Sequence, residues 1–135
     1  EATSILIVDA EGSTREYLAT VLSDQYRCQT AATAEKAMGL LTFNSFDLVI
    51  TDVKLQSISG LALCHFIRKT RPGTAVILVS EKNGGWHKSV AEQLGALDFI
   101  MKPCDSMNLR KAVERALLRR TSEGKEKTGQ SVQDV

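Results

Sequence analysis

Two short apolar runs that each stop at a carboxylate constrain this chain more than any other feature. Ile5-Leu6-Ile7-Val8 runs into Asp9, and Leu48-Val49-Ile50 leads through Thr51 to Asp52. Apolar, partly β-branched runs of this length read as buried strands, and the polar residue that ends each belongs at the edge of a sheet. If the two strands are neighbours, about 4.8 Å apart, their terminal acids share one small pocket. In open α/β sheets, ligands bind at that carboxyl edge.

Helical patterns separate the strands. Ser13-Thr14-Arg15-Glu16 fits a capping box, with Ser13 as the cap, ahead of Tyr17, Leu18, Val21 and Leu22 at helical spacing. Residues 25–31 have mixed character and read as a less buried second strand at the sheet edge. Thr33 is the expected cap of a helix through Ala37, Met38, Leu40 and Leu41. After Asp52 comes a loop over residues 54–60. A helix with Leu61, Leu63, Cys64, Phe66 and Ile67 follows, stopped by Arg71-Pro72-Gly73. Residues 74–79 form a fourth strand ending at Ser80. A polar loop over residues 81–85 leads to a short helix closed by Gly95. Residues 97–101 form a fifth strand ending at Lys102-Pro103, and Asp105 or Ser106 caps a last helix.

Strand and helix alternate five times. This pattern predicts an α/β fold with a doubly wound five-stranded parallel sheet in the order 2-1-3-4-5 and helices on both faces. A single folded domain over residues 1–120 is expected. Residues 121–135 are polar and without periodicity, and read as a disordered tail or the start of a linker. The chain begins at Glu1 rather than Met, as a piece cut from a longer protein would. A net charge of +1 gives no reason to expect nucleic acid or a membrane surface as partner. The three cysteines, Cys28, Cys64 and Cys104, form no Cys-x-x-Cys pair, which points to a reducing, cytoplasmic setting rather than a disulfide framework or a zinc site.

Four strands thus end in polar groups: Asp9, Asp52, Ser80 and Lys102. Two carboxylates suit a hard cation such as Mg²⁺, which takes oxygen ligands and keeps several waters. One carboxylate can act as a nucleophile toward phosphorus. The cation and Lys102 would neutralise the oxygens of a transferring phosphoryl group, and Ser80 would bond to one of them.

These residues resemble those of a known family, the receiver domains of two-component response regulators, whose fold is flavodoxin-like or CheY-like. The resemblance covers residues 4–119. It rests on the acid after strand 1, the Asp after strand 3, Gly60 eight residues further on, Ser80 after strand 4 and Lys102-Pro103 after strand 5. It implies that Asp52 is the phosphoacceptor for a sensor histidine kinase or phosphotransfer protein. It implies that Asp9, Asp52 and the backbone carbonyl of Lys54 hold Mg²⁺, and that Lys102 pairs with the phosphoryl group. Ser80 and Phe99 would be the switch residues, and Lys102-Pro103 would be cis. The modified domain would then act on an output domain, a downstream protein, or a second copy through the fourth helix, fifth strand and fifth helix. No enzyme of another kind is expected on this fold, because the chain lacks a Gly-rich phosphate loop after strand 1 and an Asp-x-Asp after a strand.

Four positions depart from the family's pattern, one of them Ser59, where Asp is frequent. Ala10 stands where the second of two adjacent acids is usual. At about 5 Å and an effective dielectric near 20, the lost charge is worth roughly 3 kcal/mol toward a cation before hydration is discounted. Glu11 follows at once and is a candidate further metal ligand. Glu81 stands where a small residue is common, and Gln56 where Pro is. Ala10 and Glu81 motivate an alternative: a degenerate receiver that binds its partner without phosphorylation, with Asp52 and Lys102 as a resting ion pair.

Overall fold

The computed structural model describes residues 2–81 and 88–134, with only the backbone of Lys88 and of residues 121–134. Of the loop expected over residues 81–85, all but Glu81 lies outside the described residues, as do Trp86 and His87. The chain runs β1 (Ser4–Val8), α1 (Gly12–Leu22), β2 (Arg27–Ala31), α2 (Ala34–Phe43), β3 (Leu48–Asp52), α3 (Gly60–Thr70), β4 (Ala75–Glu81), α4 (Lys88–Gln93), β5 (Asp98–Lys102) and α5 (Ser106–Asp134). The five strands pair in parallel in the order β2-β1-β3-β4-β5, as the alternation predicts.

The period-two alternation of the strands divides the core in two. Ile5, Ile7, Leu48, Ile50, Ile77 and Val79 face α1 and α5, where Leu18, Leu22, Leu109, Val113 and Ala116 cover them. Leu6, Val8, Val49, Val76 and Leu78 face the other way, under Ala37 and Leu41 of α2, Leu63 and Ile67 of α3, and Ala91 of α4. Every residue of β3 is buried, as expected of the strand at the centre of the sheet.

The helix ends follow local chemistry. Thr33 caps α2 by accepting the Lys36 backbone N–H at 3.1 Å, and Ser59 does the same for α3 from Ala62 at 3.1 Å. Of the two candidates for α5, Asp105 is the cap, accepting from the Asn108 N–H at 2.8 Å. Gly95 sits at φ +89 after α4, a conformation that favours glycine. The expected capping box on α1 is corrected. The helix starts at Gly12 with Glu11 as its N-cap. The hydroxyls of Ser13 and Thr14 donate to Glu11 Oε1 at 2.9 and 2.8 Å, so Ser13 serves the preceding residue instead of capping.

Two points concern α5. Its backbone continues as helix to Asp134, through the stretch from residue 121 that reads in sequence as a polar tail or the start of a linker. Propagating an anchored helix avoids the nucleation cost, and Glu, Lys and Gln in this stretch have favourable propensities. The arginines of α5 are in large part ties to the sheet. Arg115 meets Asp98 at 3.0 Å, Arg119 donates to the Leu97 carbonyl, and Arg120 approaches Asp47 at 3.5 Å. Arg110 donates to the Val21 carbonyl at 3.2 Å and pairs with Asp24 at 3.6 Å.

Candidate functional site

The parallel register places Val8 beside Thr51, so the residues that follow, Asp9 and Asp52, emerge side by side at the carboxyl edge. Lys102 leaves β5 beside Glu81 of β4 and reaches past the end of β4 to both acids. Its Nζ lies 2.9 Å from Asp9 Oδ2 and 2.7 Å from Asp52 Oδ2. One ammonium therefore bridges the two carboxylates.

The remaining oxygens are held by backbone. Asp9 Oδ1 accepts from the Glu11 N–H at 2.9 Å, and Asp52 Oδ1 from the Lys54 N–H at 3.0 Å. Asp9 is buried, 2 % exposed, and Asp52 is 8 % exposed at the rim. Burial pushes the Asp9 carboxyl above its ordinary value, against the opposing effect of Lys102 and the Glu11 N–H, and the charge of Asp52 adds to the rise. For Lys102, burial alone would lower the pKa. Its hydrogen bonds to Asp52 and Asp9 outweigh that, and the net shift is upward.

These groups open into a pocket of about 540 Å³ lined also by Ala10, Glu11, Lys54, Ser80 and Glu81. Five of the sequence-predicted site residues, Asp9, Asp52, Lys54, Ser80 and Lys102, thus converge, with Glu11 at the mouth. The Ser80 hydroxyl donates to the Glu81 carbonyl at 3.2 Å rather than to either acid. Phe99 packs, half-buried, against the core beneath α2, α3 and α4 and does not line the pocket. Glu11 is fully exposed, and the hydroxyls of Thr14 and Ser13 hold its carboxyl below the usual range. The Lys102-Pro103 bond is cis.

The oxygen chemistry of Asp9, Asp52 and the Lys54 carbonyl fits a hard cation that keeps part of its water shell, provided Lys102 yields one of its contacts. Ala10 adds no donor. Among the described residues, no group of three or more acidic, His or Cys side chains converges as a metal cage.

Two residues support the site in ways the sequence does not show. Arg15 donates to the Asp9 carbonyl at 2.7 Å, pinning the backbone of the buried acid from the first turns of α1. Gly60 entered only through its spacing from Asp52, and the structure shows what that spacing does. A Cβ on Gly60 would stand 1.9 Å from the Asp52 carbonyl oxygen and 2.9 Å from Val53 Cα. The start of α3 is pressed onto the end of β3, and only glycine lets it come that close.

Fold and pocket together define a class: a doubly wound α/β domain built around an acid–lysine–acid pocket at the carboxyl edge of its sheet. A family model described as "Response regulator receiver domain" matches residues 5–114. The response regulator protein PilR of Pseudomonas aeruginosa is 35% identical over 122 residues, covering 90% of this chain and 27% of that protein. The response regulator ArlR of Staphylococcus aureus is 33% identical over 119 residues, covering 87% and 53%. The chain thus spans from about a quarter to about half the length of these relatives. Among solved structures, NtrX from Brucella abortus in complex with ADP superposes with a TM-score of 0.88 at 32% identity, over 94% of this chain and 30% of that one. A CheY-like receiver domain protein from Methanospirillum hungatei gives 0.82 at 28%, over 91% and 99%. The chain belongs to the response regulator receiver domain family, the receiving module of two-component signalling.

Proposed function

We propose that this domain accepts a phosphoryl group on Asp52 from a phosphohistidine donor, a sensor histidine kinase or phosphotransfer protein, and thereby switches a partner-binding surface. The observation that carries the reading is the Lys102 ammonium held between Asp9 and Asp52 at the rim of an open pocket. An Asp52 carboxylate oxygen forms a bond to phosphorus as the bond from phosphorus to the donor imidazole nitrogen breaks. The electron pair leaves with the imidazole, which is released as the donor's free histidine. Lys102 is already placed to follow the incoming charge. Ser80, at the end of β4, exchanges its bond to the Glu81 carbonyl for one to a phosphoryl oxygen. Asp9, Asp52 and the Lys54 carbonyl are the residues that would hold Mg²⁺, with Glu11 within reach of the same mouth. When bound, the ion supplies positive charge against the phosphoryl oxygens.

The phosphoryl group carries a charge of about −1.5 to −2 in place of the carboxylate's single negative charge. Such a change biases a two-state equilibrium, with Ser80 and Phe99 as its moving parts. The surface affected is that of α4, β5 and α5, offered to an output domain, a downstream protein or a second copy. On this reading residues 1–120 form a cytoplasmic receiver, and residues 121–135 are a tail or the start of a linker.

The test is exposure of the purified protein to a small phosphodonor with and without Mg²⁺, read by intact mass, with Asp52→Asn as control. A gain of one phosphoryl group that requires both Mg²⁺ and Asp52 is expected. A second reading has one observation in its favour: Ala10 removes a donor from the site, and Lys102 already satisfies both acids as a resting ion pair. In that reading the domain binds its partner unmodified. No mass gain in the parent chain, with none recovered in Ala10→Asp, together with partner binding unchanged by Asp52→Asn, would establish it in place of the first.

A further inference from the structure

A second cavity, of about 860 Å³, lies on the other side of Lys102. Its size falls within the range of small-molecule sites. The floor is the carboxyl end of the core beneath α1 and α5, made by Leu18, Val79, Ile100 and Leu109. Tyr17 of α1 forms an aromatic wall, and its hydroxyl donates to the Cys104 carbonyl at 3.2 Å, joining α1 to the segment that leads into α5. The polar lining is dominated by one sign of charge. Among the described residues Glu11, Glu81 and Asp105 bring three carboxylates, and the one cation, Lys102, is already engaged by Asp9 and Asp52.

An apolar floor, an aromatic face and an excess of carboxylates select a single kind of occupant. Neutral donors hold two of these acids, Ser13 and Thr14 on Glu11 and Asn108 on Asp105, and leave their charge in place; a neutral molecule gains nothing from that field and an anion is repelled by it. A cation with an apolar body satisfies both, and the face of Tyr17 adds an attraction of the cation–π kind. We propose that this cavity is a binding site for a small amphipathic cation, an aromatic or aliphatic amine of about one ring in size. Its apolar part rests on Leu18, Val79, Ile100 and Leu109, and its ammonium lies toward Glu81, Glu11 and Asp105.

The site is tested on the unmodified full chain, so its failure and that of the phosphoryl-acceptor reading are independent. Three probes share one ring and differ in charge: benzylammonium, benzyl alcohol and benzoate. Titration is followed by ¹H–¹⁵N correlation spectra. Benzylammonium is expected to shift the amides of Leu18, Val79, Ile100, Cys104 and Leu109, with a dissociation constant on the order of 1 mM. Benzoate is expected to leave them unmoved, and benzyl alcohol to bind more weakly than the cation. Glu81→Gln and Asp105→Asn should each weaken benzylammonium roughly two- to fivefold, the effect of one rim charge. Asparagine remains a good helix cap, so the second variant changes charge while sparing the start of α5. The proposal is overturned by equal binding of the three probes, by shifts that map elsewhere, by affinity unchanged in both variants, or by no shift at tens of millimolar.

Discussion

The sharpest prediction concerns one chemical change, Gly→Ala, at two positions with opposite signs. At Gly60 the new methyl would lie 1.9 Å from the Asp52 carbonyl oxygen and 2.8 Å from the carbon that bears it. Ordinary contact begins at 3.4 Å, well over an ångström beyond the first of these distances, and both obstacles are backbone of the fully buried central strand. No side chain can rotate away, so either α3 retreats or the end of β3 bends. Overpacking of this kind typically costs 1–3 kcal/mol, and a backbone obstacle belongs at the top of that range, about 3 kcal/mol. For a domain of this size that lowers the melting temperature by roughly 10 °C. At Gly39, exposed inside α2, a methyl meets nothing within 4 Å. There alanine removes only the helix penalty of glycine and stabilises by about 0.5–1 kcal/mol. Thermal and urea unfolding of the two variants beside the parent measure both values. The reasoning is refuted if Gly60→Ala melts within about 2 °C of the parent, or if Gly39→Ala is as damaging as Gly60→Ala. A Gly60→Ala domain that still folds should also lose reactivity at Asp52, since the clash lies on that residue's own carbonyl.

Further outcomes follow from the same coordinates. Asp9 has a raised pKa, so its buried charge is a burden above the folded value that disappears as protonation completes below about 3.8. Asp9→Asn should therefore be more stable than the parent at pH 7, with the gap closing on acidification; a constant gap would show that Asp9 is not the titrating burden. Lys102 has a pKa raised above 10.5, so its pairing supports the fold fully below that pH and is lost as pH climbs through the folded value. In Lys102→Met that alkaline loss should be absent from denaturation curves taken between pH 8 and pH 12. Thr33→Ala removes the cap of α2 and should cost about 1 kcal/mol by urea unfolding, whereas Thr33→Asn should be close to neutral. Burial pushes the Cys64 thiol up to about 11. Alkylation of the native protein should modify Cys28 and Cys104 and spare Cys64, as read by peptide mass.

Much of the fold was legible because it is written in local pattern. The apolar runs into Asp9 and Asp52, the alternation of strand and helix, and the mixed character of the second strand fix the sheet order once crossovers are right-handed. Gly95 and Thr33 show their roles through chemistry confined to a few neighbours. The acids were legible as a pair, but the bridge that Lys102 makes to both was not, because it joins residues 50 and 93 positions apart. The start of α1 was misplaced because Ser13 and Thr14 can donate as well as accept, and local sequence does not say which. Gly60 shows the limit most plainly. Its spacing is visible, but the close approach that demands glycine is a fact of how α3 lies on β3. The ties made by the α5 arginines are invisible in the sequence for the same reason, since Asp47, Asp98 and the Leu97 carbonyl lie far back in the chain or on another element.

The arginine ties give β5 a mechanical character. The strand has five residues, about 17 Å from end to end. At one end Lys102 is gripped by two acids, and at the other Asp98 is gripped by Arg115, with Arg119 on the carbonyl just before it. An edge strand clamped at both ends behaves as a connecting rod. A pull on the lysine at the top of the sheet is delivered at the bottom to Arg115 and Arg119, well along α5, without needing the strands between to rearrange.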